Sequence, residues 1–355
     1  MISFAPTEDQ TLAARAAAGF AQGHARPAAR QADEASAFPA PLLERAWELG
    51  LVQTAAGDDA PDQPTVLNAL VIEEIANGDA ALAAALAAPL GFVRAITTRG
   101  SPAQKRRHLP AFIGDTPRFA AIAHVDAGWL HGFKSATRAR RTGSGWRLDG
   151  AKASVPLAAR CEKFLVTAET EEGTRAFIVA AGARGLRMGE ASGSLGLRAL
   201  QMSDVIFESV EASDEDALPG DLRSLIDQSR VAISAMLSGL ARCVYDYALP
   251  YTKSRVVHGE AIARKQAVAF KIADMHIAAQ AMRWMALRAA CDIDAGASAT
   301  RSASLAWRYA AAQGLKIADE GVQLFGGHGF MRDMPLEMWY RNAQSLSVLD
   351  GLFGV

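Results

Sequence analysis

Apolar residues recur at helical spacing through the first third of the chain, lose that period in the middle, and regain it in longer segments toward the end. From Thr7 to about Gly114 the period is helical, with starts at Thr7 followed by Gln10, close to a capping box, and at Ser101-Pro102 followed by Gln104. Gly50 ends a helix that carries Leu42, Leu43, Ala46, Trp47 and Leu49. A loop rich in Gly, Asp and Pro at 56–64 leads to an amphipathic helix through Val66, Leu70 and Ile75. Between Phe119 and about Ala212 the pattern breaks into short runs, such as 119–122, 146–148, 164–166, 176–179 and 205–207. Gly143-Ser144-Gly145 and Glu171-Glu172-Gly173 separate some of these runs, which predicts a β region of antiparallel type. From Asp221 the helical period returns, with Val268, Ile272, Met275 and Ala279 on one face of a long segment, and three or four such helices predict a bundle. The expected class is therefore α+β, divided at 1–117, 118–220 and 221–355.

Composition narrows the function classes. The chain has 355 residues, 50% hydrophobic and 21% charged, an ordinary balance for packed globular units. A formal net charge of -1 leaves no electrostatic footprint for nucleic acid or an anionic membrane. The basic run at 138–141 reads as a solvated strand or turn. Cys161, Cys243 and Cys291 are widely spaced and odd in number, which argues against a disulfide framework or a metal site and suggests a reducing compartment. The start, Met1-Ile2-Ser3-Phe4 with Glu8 and Asp9 close behind, lacks the basic and apolar regions of a signal peptide. The longest apolar stretch, 80–93, is short and interrupted by Pro89, so no membrane span is expected and a cytoplasmic location is.

The most specific pattern lies near the end. Gln323-Leu324-Phe325-Gly326-Gly327-His328-Gly329-Phe330 delivers a Gln to a glycine-rich turn whose bare N–H groups allow close approach of a phosphate. Pro335, Glu337, Arg341 and Asp350-Gly351 follow in order. This run, without gaps over 323–351, resembles the C-terminal signature of the acyl-CoA dehydrogenase family of flavoproteins, with Asp350 where the family places its catalytic Glu. The resemblance implies a helical domain, a β domain and a helical bundle, FAD as cofactor, an acyl-CoA substrate and an oligomer with shared sites.

The resemblance also assigns roles. Arg255, Val256, Val257, His258, Gly259 and then Gln266 resemble the family's R-x-x-F-G…Q segment, with His258 in place of the Phe. It places Arg255 against the FAD pyrophosphate of a neighbouring subunit, in company with Gln266, Gln323, Gly326 and Gly327. An arginine there offers two parallel charge-assisted bonds. His328 falls at a position the family leaves variable and reads as a solvated turn residue. The flavin-ring side is altered: Ala123 and Trp129 stand where the family has a Thr and a Ser, and Ser154 and Pro156 replace an aromatic and a hydroxyl residue. Three or four lost hydrogen bonds at roughly 0.5 to 1.5 kcal/mol each would weaken flavin affinity by about two to four powers of ten. The alternative is that backbone donors and Trp129 substitute for them.

The carboxylate is altered too. The family reaction removes an α proton, which requires a carboxylate at near-attack distance, and an arm one methylene shorter shifts it by about 1 Å. Asp350 is either that base, as in a branch resembling nitroalkane oxidase, or a cap on the following segment. Ser229-Arg230 occupies the place where some members carry an alternative Glu before an Arg, so that second carboxylate is absent. The loss of residues toward the chain's own flavin ring, with retention of those reaching a neighbour's FAD, resembles the heteromeric acyl-CoA dehydrogenases of bacterial steroid catabolism. Three readings follow: a partner subunit of a heteromeric dehydrogenase, a self-sufficient homotetramer using Asp350, and a structural protein on the same fold.

Overall fold

The computed structural model describes residues 5–57, 61, 63–127, 136–220 and 222–355. The first helices are α1 (Glu8–Phe20), which continues through a π-helical turn (Ala21–Ala25) into α2 (Arg26–Ala35), α3 (Ala40–Trp47), α4 (Leu51–Ala56), α5 (Pro64–Gly78), α6 (Ala80–Arg99) and α7 (Pro102–His108). Complete capping boxes open α1 and α7, at Thr7 with Gln10 and at Ser101 with Gln104. Two expectations are revised. The helix through Val66, Leu70 and Ile75 is buried on nearly every side, because other helices cover both of its faces. Pro89 does not interrupt the apolar stretch, and α6 runs through it as a 20-residue helix. Proline costs one helical hydrogen bond, and the surrounding core outweighs it. By length and composition α6 is apolar enough to cross a membrane, yet 94% of its most apolar window is buried inside the fold.

The central strands are β1 (Ala120–Ala123), β2 (Arg138–Thr142), β3 (Gly145–Val155), β4 (Lys163–Thr170), β5 (Gly173–Ala180), β6 (Leu186–Ala191), β7 (Ser203–Ala212) and β8 (Ala217–Leu218). They form one eight-stranded sheet in the order β6-β7-β3-β2-β4-β5-β8, with β1 also on β4. Most pairs are antiparallel, as the turn spacing predicts; β1 runs parallel to β4, and β2 meets β4 in a single parallel pair. β1 leads straight from the helical region, so it joins the sheet without a hairpin. The basic run 138–141 falls on β2, with its three arginines exposed and Ala139 inward.

The final part comprises α8 (Arg223–Ser254), a small hairpin of β9 (Val256–Val257) and β10 (Glu260–Ala261), α9 (Gln266–Asp294), α10 (Thr300–Phe325) and α11 (Leu336–Ser347). α8 is the axis of the molecule, packed by α5, α6, α9, α10 and α11. α8 and α10 run in the same direction, since Arg230 meets Ser304 near their starts and Tyr251 stacks on Phe325 near their ends. α11 is clamped to α2 by Arg341, whose guanidinium bonds both oxygens of Asp33 at 3.0 and 2.6 Å and Glu337 at 2.8 Å. Arg30 of α2 pairs with Glu337 in turn. Glu337 and Arg341, prominent in the C-terminal motif, thus join the two ends of the chain.

Candidate functional site

The candidate base and the candidate phosphate-binding residues fall at opposite ends of α8. At its C-terminal end, Tyr251 stacks on Phe325 with ring centroids 3.8 Å apart, and Tyr247 lies against the same ring at 5.4 Å. These contacts fix the last turn of α10 against the last turn of α8, and so bring Gln323, Gly326 and Gly327 beside Arg255. The Arg255 backbone is held on both sides: its N–H donates to Tyr251 and its carbonyl accepts from Ile262 across the hairpin. Together these residues line an open cleft of about 630 Å³. Arg255 and Gln323 are exposed and make no side-chain hydrogen bond or ion pair among the described residues. A methyl group added at Gly326 or Gly327 would meet nothing within 4 Å, and Gly326 has φ +56. Gly326 and Gly327 therefore face open space, whereas Gly329 of the same turn is buried against the backbone of Val322. Gln266, at the first position of α9, stands beside this cleft rather than on its wall.

At the N-terminal end lies Asp350. Arg230 bonds both of its oxygens, through Nε at 3.2 Å to each and Nη2 at 2.8 Å to Oδ2. The same guanidinium donates to Ser304 at 2.8 Å and lies 5.3 Å from the centre of the Trp307 ring, while the Trp307 indole donates to Leu349. The side chains of Arg230 and Asp350 keep only 21% and 29% of their exposure. To take a proton from carbon, this carboxylate would have to give up a bidentate partner.

Beside Asp350 is a second polar cluster. Lys152, 1% exposed, donates to the His124 carbonyl at 2.9 Å, Asp126 at 2.7 Å and Thr167 at 3.2 Å, so all three ammonium protons are used. Burial pulls the Lys152 pKa below its usual value, opposed by Asp126. The His124 ring bonds Thr167 at 3.1 Å through Nδ1 and lies against Gly351, where an added methyl would come within 2.2 Å of Cδ2. Its pKa is lowered by burial first and by Lys152 second.

These facts test the fit of a flavin. The exposed end suits phosphates: a free guanidinium and a free amide converge there beside Gly326 and Gly327, which carry no side chain to bar close approach, while the Gly326 N–H itself donates to the Gln323 carbonyl. On the ring side, several donor positions among the described residues are lost or already used. Ala123 is fully buried and carries no hydroxyl. The amides of Ala127 and Ala153 are consumed in pairing 125–127 with β3, at 2.8 Å each, and the Ser154 amide points to Asp204. These backbone groups therefore do not replace the missing side chains. Trp129 lies outside the described residues.

Sequence reasoning missed the bond between Arg230 and Asp350, the place of His124 against Gly351, and the aromatic stack that aligns the cleft. Tyr251 and Phe325 flank the two motifs and were the one available signal for the stack. An ion pair across 120 residues leaves no local pattern.

Three family models match the chain in order: acyl-CoA dehydrogenase N-terminal domain over residues 7–115, middle domain over 128–210 and C-terminal domain over 221–353. The chain is 28% identical to the mitochondrial short-chain specific acyl-CoA dehydrogenase of Bos taurus, covering 94% of this chain and 84% of that protein. It is 26% identical to the 3-(aryl)acrylate reductase of Clostridium sporogenes, covering 97% and 95%. The solved butyryl-CoA dehydrogenase of Megasphaera elsdenii superimposes with a TM-score of 0.88 at 25% identity, covering 98% of this chain and 95% of that one. The chain belongs to the acyl-CoA dehydrogenase family of FAD-dependent oxidoreductases.

Proposed function

We propose that this chain is one subunit of a heteromeric acyl-CoA dehydrogenase that introduces an α,β double bond into an acyl thioester, and that it serves a flavin seated chiefly in a related partner. The carrying observation is that donors on the flavin-ring side of this chain are lost or already used while its phosphate-facing residues are free, at a separation that supports an FAD shared between chains. Arg230, which holds Asp350, and Arg255, which faces the open cleft, lie at opposite ends of α8, about 37 Å apart at 1.5 Å per residue. One flavin dinucleotide does not reach from phosphates at Arg255 to a ring beside Asp350 of the same chain. In this reading Arg255, Gln323, Gly326 and Gly327 hold the phosphates of the partner's FAD, with Gln266 close by, and the partner supplies the carboxylate.

When bound, the flavin accepts a hydride from the β carbon. The work of this chain is positional: a bidentate arginine neutralises phosphate charge, and the glycine turn admits that phosphate to hydrogen-bond distance. The occupied donors around Ala127 and Ser154 support a weak flavin-ring site here. A second reading, a self-sufficient assembly of identical chains with Asp350 as base, is favoured by the remaining exposure of that carboxylate.

Flavin content separates the two. The chain purified alone is expected to carry well under one FAD, read by absorbance and by release on denaturation, and to show little acyl-CoA turnover. Coexpression with a dehydrogenase encoded beside it is expected to raise this to about one FAD per pair. One tightly bound FAD per isolated chain, with turnover, would replace the shared-site reading by the self-sufficient one.

A further inference from the structure

The five residues after the Asp350 carboxylate turn inward and are wholly covered. Leu352, Phe353 and Val355 have no exposed surface. The segment is tied to two helices by three hydrogen bonds: the Phe353 amide donates to Ser229 of α8 at 3.3 Å, the Gly354 amide to the Ala87 carbonyl of α6 at 3.0 Å, and Arg94 Nε of α6 to the Val355 main-chain oxygen at 3.1 Å. Gly91 and Gly354 touch backbone to backbone. A methyl on Gly91 would stand 2.8 Å from the Gly354 nitrogen, and one on Gly354 would stand 2.4 Å from the Gly91 Cα. Ile122 of β1 closes the third side, its Cδ1 3.1 Å from where a Gly91 methyl would stand.

This strap therefore fills the junction of the first helical part, the sheet and the bundle, immediately beside a carboxylate at the family's base position. Junctions of this kind are where proteins commonly bind small molecules, and an acyl chain presented to Asp350 would need apolar space there. Interiors are packed densely enough that a four-residue apolar segment and an acyl chain do not share one compartment. We infer that residues 352–355 are a built-in occupant of the apolar compartment beside Asp350, so that strap and acyl chain exclude one another. The inference rests on the shared-site reading and deepens it: the chain's own substrate space is filled, and acyl-CoA turns over at the partner's carboxylate.

The test reads binding, not flavin content or turnover, so it fails separately from the shared-site reading. Isothermal titration of the full chain with CoA and with octanoyl-CoA is expected to show no preference for the acylated form. Leu352→Ala with Phe353→Ala, or Phe353→Ala alone should the double variant not fold, is expected to gain a preference of about tenfold or more, as buried methylenes become available to the octanoyl group. A folded variant with no gain overturns the inference. Hydrogen exchange on the unaltered chain gives an independent outcome. Octanoyl-CoA that binds about tenfold more tightly than CoA while the Gly354 amide stays protected would show that both fit at once, and would overturn it. Tight binding with loss of that protection would show displacement of the strap, as exclusion requires.

Discussion

At the Arg230 end of α8, Asp350 is bonded to a guanidinium, Lys152 has three acceptors, and the chain itself fills the space alongside. At the Arg255 end, a guanidinium and an amide face an open cleft of about 630 Å³ next to two glycines, Gly326 and Gly327, with nothing against them. Both ends lie on one helix and both carry residues of the family's C-terminal pattern. A group whose hydrogen-bonding capacity is met inside the protein contributes to folding, whereas one left unmet on a preformed surface is available to a ligand. The comparison teaches that retention of a motif residue does not by itself identify a site; what its side chain already binds decides that.

Paired glycines break or sharpen this contrast with the largest expected effect. Gly91→Ala pushes a methyl into the backbone of residues 353 and 354, 2.9 and 2.8 Å away, where no flexible side chain can yield. It is expected to destabilise the fold by about 3 kcal/mol, measured by denaturant unfolding. Gly327→Ala adds a methyl to empty space and is expected to change stability by less than about 0.5 kcal/mol. Its effect should instead appear as lower FAD retention in the coexpressed complex. Equal stability losses at the two glycines would remove the distinction between a packed end and an open one.

Two arginines give the next largest test. Arg230→Ala strips Asp350 of its partner and breaks the link to Ser304, with an expected cost of about 2 kcal/mol, since the pair is only partly buried. Arg255→Ala removes a side chain with no bond to the described residues and should leave unfolding unchanged. In the complex it should weaken FAD by roughly 1.5 to 3 kcal/mol, about ten- to a hundredfold, if a charged phosphate contact is lost. Flavin occupancy unchanged by Arg255→Ala, read from the absorbance ratio of the purified complex, would count against the cleft as a phosphate site.

The helical period, the turn-punctuated strands and the capping boxes made the class of the fold legible, because each is written in local spacing. The cleft residues were picked out only through the family resemblance, because an arginine after the end of one helix and a glycine turn at the end of another read, by local spacing alone, as a solvated cation and a helix-helix turn. The exception in the α6 stretch has a physical cause, since Pro89 weakens a helix locally while burial on all sides holds it. The Asp350 end was not legible. Arg230, His124 and Asp350 come from three distant parts of the chain, and only packing shows that the carboxylate is spoken for. Ser229, read in sequence as a missing carboxylate, proves to hold the strap through the Phe353 amide.

Acidification offers the smallest and most selective comparison of the two ends. His124 faces Lys152 and Arg230, which disfavour its protonation, and Asp350 and Asp126, which favour it; burial is the largest influence and the net pKa lies below the usual 6.5. A histidine with a lowered folded pKa stabilises the fold fully above its unfolded pKa, and that contribution is lost as pH falls below about 6.5 toward the folded value. Because the ring rests on Gly351, the loss should be felt at the strap. Between pH 7.5 and 5.5, exchange protection of the Phe353 and Gly354 amides, corrected for intrinsic rates, is expected to drop several-fold in the parent and to stay level in His124→Asn. Amides in the β9–β10 hairpin beside Arg255 should follow intrinsic rates in both proteins. A strap whose protection is as flat with pH as the hairpin's would mean that His124 does not support the segment after Asp350.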